Sequence, residues 1–199
     1  MSVDAVVDAL RAGKLALLPT DTVYGLAANP DSEQAVERLY QAKGRDPQQP
    51  TALVASDLDV LLERLPELRG RAGTIAEALL PGPYTLVLPN PGRRYRSLTG
   101  ATPEAIGVRV PDVSGAAAEL LERVGAYAAS SANARGGADP CSLDDVPEEI
   151  RALAAAELDA GALPGTPSTV LDFTGSEPRV LREGAAPSDE ALRLIAPLL

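Results

Sequence analysis

AIGVRVPDVSGAAAELLERVGAYAAS, residues 105–130, carries the pattern that sets the fold class. AIGVRV (105–110) is an apolar run that reads as a strand. After Pro111, Ser114 is placed to cap a helix to about Val124, and AYAAS (126–130) returns to strand. Working outward, LALLP (15–19), TALVA (51–55), YTLVL (84–88), STVLDF (168–173) and PRVL (178–181) read as further strands. Helices fall between them. Val3, Val6, Val7 and Leu10 share one helical face, which Gly13 ends. Asp31 or Ser32 can cap a second helix, with Ala35, Val36, Leu39 and Tyr40 inward and Gly44 as its stop. Ser56 opens a helix through Leu65, another covers about 71–80 before Pro81, and the last starts near Ser188. Residues 131–147 read as loop and short helix. This interleaving predicts an α/β fold with a twisted mixed sheet, in one domain over residues 1–199.

Composition narrows the chemistry. With 199 residues, 45% of them hydrophobic, the chain can build a core without disulfides or metals. The 17 Gly and 18 Pro make it turn-rich, yet it is too apolar and too patterned for disorder. Zero histidines exclude Ser-His-Asp and Cys-His catalysis, histidine base chemistry and imidazole metal ligation. The lone Cys141 excludes a disulfide framework and a thiolate zinc site, and without a basic neighbour it lacks the partner that would activate a redox thiol. Net charge is −10, and residues 101–199 hold −9 of it. Such a chain is a poor nonspecific polyanion binder, although a local basic groove is compatible with it. The N-terminal MSVDAVVDAL has no basic n-region, and no apolar run approaches the roughly 20 residues of a membrane helix. A soluble, cytoplasmic protein without a membrane partner is expected.

Polar residues collect in a few loops. PTDTVYG (19–25) leaves a strand with three polar residues before a glycine: either an Asx or Ser/Thr turn, or a ligand-binding row at a strand's carboxyl end. KGR (43–45) ends a helix, where basic residues suit the dipole. Lysine occurs only at 14 and 43 among 18 basic residues, so a compact ammonium on a phosphate is the second interpretation of Lys43. SSANARGG (130–137) is either a plain surface loop or an anion nest of backbone N–H groups with Asn133. Arg109 interrupts an apolar strand, so it either meets a carboxylate or phosphate or faces solvent, and Arg182 poses the same choice. Neither GxxxxGK[ST] nor GxGxxG occurs.

Taken in order, PTDTVYGLAANP, AKGRDPQQP, LLPGPYTLVLP, IGVRVP, SSANARGG, STVLDF and LREGA resemble the YrdC-like family of L-threonylcarbamoyladenylate synthases. The matching stretches span about residues 19–185. The resemblance implies the family's twisted open mixed sheet with helices packed on it and a deep concave groove, in the short form without a C-terminal extension domain. It implies that L-threonine, bicarbonate and ATP become threonylcarbamoyl-AMP and pyrophosphate, for modification of tRNA adenosine 37. By motif position it places Thr22, Arg109, Ser131 and Ser168 at the threonine. It places Lys43, Arg45, Gln49, Asn133, Cys141 and Arg182 at ATP, with Lys43 and Arg45 as the catalytic cations. Mg²⁺ would arrive with ATP, since no carboxylate cluster suggests a dedicated metal site. Other tRNA-modification proteins are implied as partners.

Departures from the family pattern collect near these positions. The run after AKGR reads DPQQPTALVA, where the family has a lysine or asparagine, then Pro-Leu and often a histidine; Val54 stands near that histidine. Ala105 replaces a hydroxyl residue, Cys141 a Ser or Thr, Pro167 an acidic residue and Glu183 a proline. A diverged paralogue with another carbamoyl or adenylate substrate is therefore one alternative. A module for tRNA or double-stranded RNA is another, carried by Arg93, Arg94, Tyr95 and Arg96 in PGRRYRS. Carbamoyl transfer, as in the related domain of hydrogenase-maturation proteins, is a third; the lack of acylphosphatase or zinc-finger segments weighs against it.

Overall fold

The structure, a computed structural model, describes residues 2–198. Helix α1 (Val3–Arg11) starts at Ser2, whose Oγ accepts the Ala5 N–H, and ends before Gly13 at φ +69°. It leads into β1 (Leu15–Pro19) and β2 (Tyr24–Ala28). Helix α2 (Glu33–Ala42) is capped by Ser32, and β3 (Ala52–Ala55) follows. Helix α3 (Leu58–Arg64) is capped by Asp57 rather than Ser56: Asp57 Oδ1 accepts the Val60 N–H at 2.7 Å, while Ser56 Oγ donates to the other carboxylate oxygen. Helix α4 (Arg71–Leu79), β4 (Tyr84–Pro89), β5 (Ala105–Arg109), α5 (Gly115–Val124) and β6 (Ala126–Ser131) come next. The chain ends with α6 (Glu148–Arg151), β7 (Ala154–Glu157), β8 (Thr169–Asp172), β9 (Arg179–Arg182) and α7 (Ser188–Ile195).

The nine strands among the described residues form one sheet in the order β7-β1-β2-β6-β3-β5-β4-β8-β9. β1/β7, β3/β5 and β4/β8 pair in parallel, and the other neighbours pair antiparallel. The expected mixed sheet is present, with two strands more than periodicity indicates. YGLAA of β2 lies partly inside the stretch read as a polar turn, and AAAE of β7 has no β-branched or aromatic residue to mark it.

How the helices cover the sheet creates the groove. Helices α2, α3, α4 and α7 bury one face against Leu17, Leu26, Leu53 and Leu86, each fully buried. Each such side chain contributes about 1.5–3 kcal/mol by leaving water. On the opposite face, α1 and α5 cover Ala16, Leu18, Ala27 and Tyr127, at the β7, β1, β2 and β6 end. Among the described residues no helix covers that face over β5, β4 and β8, and the sheet lies open there.

Candidate functional site

The uncovered face floors a cavity of about 510 Å³. Its floor is made of small residues, among them Gly25, Ala52, Ala105, Gly107 and Ala129, so its depth comes from missing side-chain volume. At Gly107 the nearest atoms to an added Cβ would be Ala52 Cα at 3.7 Å, Ala52 Cβ at 3.9 Å and Thr85 Cγ2 at 3.9 Å, ordinary contacts; the glycine leaves room there and no steric need fixes it.

The walls are cationic. Arg45, Arg109, Arg179 and Arg182 line the cavity of an otherwise acidic chain, and Asp172 is the one acidic lining residue among those described. Three buried side-chain polar atoms lack a hydrogen-bond partner among the described residues: Arg45 Nε, Thr51 Oγ1 and Arg109 Nε. All three belong to residues lining this cavity. Orphaned buried donors cost about 1–3 kcal/mol each, so their convergence marks a place where a ligand supplies the missing acceptors. Burial lowers the pKa of Arg45. Burial lowers that of Arg182, with Asp139 opposing and Arg109 adding a smaller push in the same direction as burial.

Arg109 does meet a carboxylate, that of Asp21, through Nη2, and the same nitrogen donates to Thr22 Oγ1 at 2.7 Å. Thr22 is wholly buried and stands behind Arg109, outside the cavity lining. Arg182 reaches from β9 to the Ser168 carbonyl, with Nε at 3.0 Å and Nη2 at 2.7 Å, and Nη2 also donates to Ser168 Oγ at 3.2 Å. The Ser168 hydroxyl is hydrogen-bonded to Thr85 Oγ1 at 2.8 Å. Arg45 donates to Ser130 Oγ at 3.1 Å and to the Pro50 carbonyl at 2.5 Å, a fixed pose that leaves Nε free.

Lys43, at the C-cap of α2, is held one layer back. Its ammonium donates to the Ser131 carbonyl at 2.6 Å, to Asn133 Oδ1 at 2.8 Å and to the Asn133 carbonyl. Three acceptors meet three N–H bonds, so the lysine ties α2 to the 131–137 loop. Burial, followed by repulsion from Arg45, lowers its pKa to about 8, with Asp139 opposing. Ser131 Oγ and Asn133 Nδ2 complete the loop by donating to Asn133 Oδ1 and the Gly137 carbonyl, each at 2.8 Å.

Of the expected site residues, Arg45, Arg109, Ser131, Ser168 and Arg182 share the cavity. Thr22, Lys43 and Asn133 brace it from behind. Gln49 is exposed and off the lining, while Gln48 is on it. Cys141 is also off it; its thiol donates to Asp145 Oδ2 at 3.0 Å, and that hydrogen bond, then burial, raises its pKa. Sequence reasoning missed Thr51, Thr85, Asp172 and Arg179. Thr51 had a visible signal, as it stands where the family pattern has leucine after proline. Asp172 closes an otherwise apolar strand, the argument already applied to Arg109.

Two arginines of the basic PGRRYRS segment pair with carboxylates outside the groove. Arg93 pairs with Glu104 at 2.6 Å and Arg94 with Glu67 at 2.9 Å. Tyr95 is half-buried against the core, and its hydroxyl accepts from Arg64 at 2.8 Å. No helix among the described residues is long and apolar enough to cross a membrane.

Comparison with known proteins gives one answer. The family model of the Sua5/YciO/YrdC proteins, described as telomere recombination, matches residues 8–184. The threonylcarbamoyl-AMP synthase of Pyrococcus abyssi is 38% identical over 94% of this chain, which spans 55% of that protein's length. A putative threonylcarbamoyl-AMP synthase of Mycobacterium tuberculosis is 31% identical over 96% of this chain and 88% of its own length. The crystal structure of P. abyssi Sua5 complexed with L-threonine superposes with a TM-score of 0.85 at 35% identity, covering 97% of this chain and 57% of that one. With that match over most of its length, the chain belongs to the Sua5/YciO/YrdC family.

Proposed function

We propose that this chain joins L-threonine, bicarbonate and ATP into threonylcarbamoyl-AMP and pyrophosphate, a nucleotidyl transfer. The observation that carries the reading is the convergence of four arginines and all three orphaned polar atoms on one groove. Such a site suits a substrate set carrying a carboxylate and a triphosphate. The relatives named threonylcarbamoyl-AMP synthase, and the relative that binds L-threonine, support the same substrates.

In this reading the threonine amine condenses with bicarbonate, releasing water, and forms an N-carboxylate. One carbamate oxygen then attacks the α-phosphorus, the new P–O bond forms, and the bond to pyrophosphate breaks. The step needs placement and charge neutralisation more than a strong protein base, which suits a chain without histidine. Arg109 takes the amino-acid carboxylate, with Ser131 and Ser168 beside it. Arg45 and Arg182 face the phosphates, and Mg²⁺ enters as part of the nucleotide substrate. Lys43 serves the phosphates through the loop it anchors, and Asn133 belongs to that loop. Consumption of the product in tRNA modification, with partner proteins, belongs to the same proposal.

The test is mass-spectrometric detection of threonylcarbamoyl-AMP after incubation with ATP, Mg²⁺, L-threonine and bicarbonate, quenched rapidly. Product that needs both threonine and bicarbonate is expected. Nucleotide binding without that product would instead assign the groove to another carbamoyl or adenylate substrate.

A further inference from the structure

Asp21 is a carboxylate set beneath the groove, its side chain 8% exposed. Oδ1 accepts from Arg109 Nη2, and Oδ2 accepts the Asp112 N–H at 3.2 Å. The turn that carries it is rigid. Thr20 Oγ1 donates to the Val23 carbonyl at 2.8 Å and accepts the Thr22 and Val23 N–H groups, each at 3.2 Å. Thr20 Oγ1 and Thr22 Oγ1 are hydrogen-bonded at 3.0 Å, and Thr22 Oγ1 accepts from Arg109, whose guanidinium can only donate.

Both hydrogens of Arg109 Nη2 are thereby committed, one to Asp21 and one to Thr22. Nε has no acceptor among the described residues. The guanidinium is held firmly at Nη2, and its Nε–H remains to donate to a single oxygen of a second anion. Without Asp21 the arginine would be a buried, uncompensated charge in an empty groove, and its pose would be lost.

We infer that Asp21 is a positioning residue, holding Arg109 so that its unmet Nε–H receives an oxygen of the amino-acid substrate's carboxylate. The inference rests on the reading that this groove takes L-threonine, with Arg109 at its carboxylate. Asp21 does not touch substrate; it acts through Arg109. The groups facing it are Arg109 from β5, the Asp112 N–H beyond that strand, and the fully buried Tyr127 of β6. Burial raises the Asp21 pKa, with Arg109 opposing, so protonation on acidification removes the partner that holds Arg109.

The experiment is calorimetric titration of the full chain with L-threonine, L-threoninamide and ATP, on wild type, Asp21→Asn and Asp21→Glu, across a pH series. Wild type is expected to bind threonine more tightly than threoninamide, and to lose that preference as pH falls through the Asp21 transition. Asp21→Asn is expected to weaken threonine binding roughly tenfold, with ATP affinity within about twofold of wild type and no acid limb. Asp21→Glu keeps the charge pair, and so the fold, but displaces the carboxylate; it is expected to lose the same threonine preference. Threonine affinity and pH profile unchanged in the folded variants would overturn the inference alone. Wild-type protein that binds ATP but not threonine would overturn the substrate reading, and the inference with it.

Discussion

The Lys43 ammonium and the Asn133 side chain, 90 residues apart, meet at 2.8 Å, and the other two lysine protons go to carbonyls of the same loop. The single cation that α2 sends toward the site thus shapes a loop. Lys43→Met is expected to speed amide exchange across residues 132–137 by roughly tenfold in the ligand-free protein. Turnover should fall by roughly 10²-fold, the scale of losing one preorganised charged group. A variant that loses turnover with loop exchange unchanged would return Lys43 to direct phosphate contact.

The same ammonium should titrate with a midpoint of about 8, below the ordinary 10.5, because burial and Arg45 disfavour its charged form. Only one other lysine exists, Lys14, so side-chain NMR with a Lys14→Arg control assigns the resonance directly. The linkage sign follows. Between pH 8 and 10.5 the unfolded chain binds more protons at this residue than the folded one, so its contribution to stability rises with pH over that window. Thermal melts of wild type against Lys43→Met should diverge there in that sense.

Gly107→Val tests the floor. The glycine has ordinary strand backbone and only van der Waals neighbours, so valine suits the strand while filling the groove. The expected outcome is a melting temperature within a few degrees of wild type and at least a roughly tenfold loss of nucleotide or threonine affinity by calorimetry. Undiminished affinity would move the ligand away from this face.

Asp172 shows a carboxylate shifted the opposite way from Asp21. Burial pushes its pKa up, but hydrogen bonds from the Thr174 hydroxyl and N–H, and from Arg179, outweigh it and hold the carboxyl below its usual range. Its stabilisation is present above pH 3.8 and is lost as pH falls through the lowered folded value. Asp172→Asn should therefore destabilise the protein at pH 7, by about 1–3 kcal/mol for the bonds weakened. Chemical denaturation at pH values falling below 3.8 should show that gap closing.

Arg93 and Arg94 make exposed ion pairs, worth about 0–1 kcal/mol each. Replacing both with serine is expected to leave threonylcarbamoyl-AMP formation within about twofold of wild type. If that replacement instead flattens the salt dependence of tRNA retention, the 91–97 loop holds nucleic acid after all.

Particular residues show what the sequence could disclose. The α1 face of Val6, Val7 and Leu10, the Ser32 cap and the strand containing Arg109 were readable because each signal is local. That Arg109 either meets an anion or faces solvent was also readable; that it meets Asp21, 88 residues away, depends on the sheet order. β2 was hidden because its first residues continue a polar turn, and β7 because alanines carry no strand signal. The orphaned Thr51 hydroxyl is invisible by nature, since being unpartnered is a property of three-dimensional surroundings.

The sheet order has a bearing on biosynthesis. β4 waits for β8, 85 residues later, and β9 supplies Arg182 from the outer edge. The groove's lining runs from Thr20 to Arg182, so a nascent chain halted before residue 168 has no Ser168, no Arg182 and one wall missing. The groove is therefore completed late, as the final strands dock. Partial translation products should be inert toward nucleotide, even where their first helices and strands have already packed.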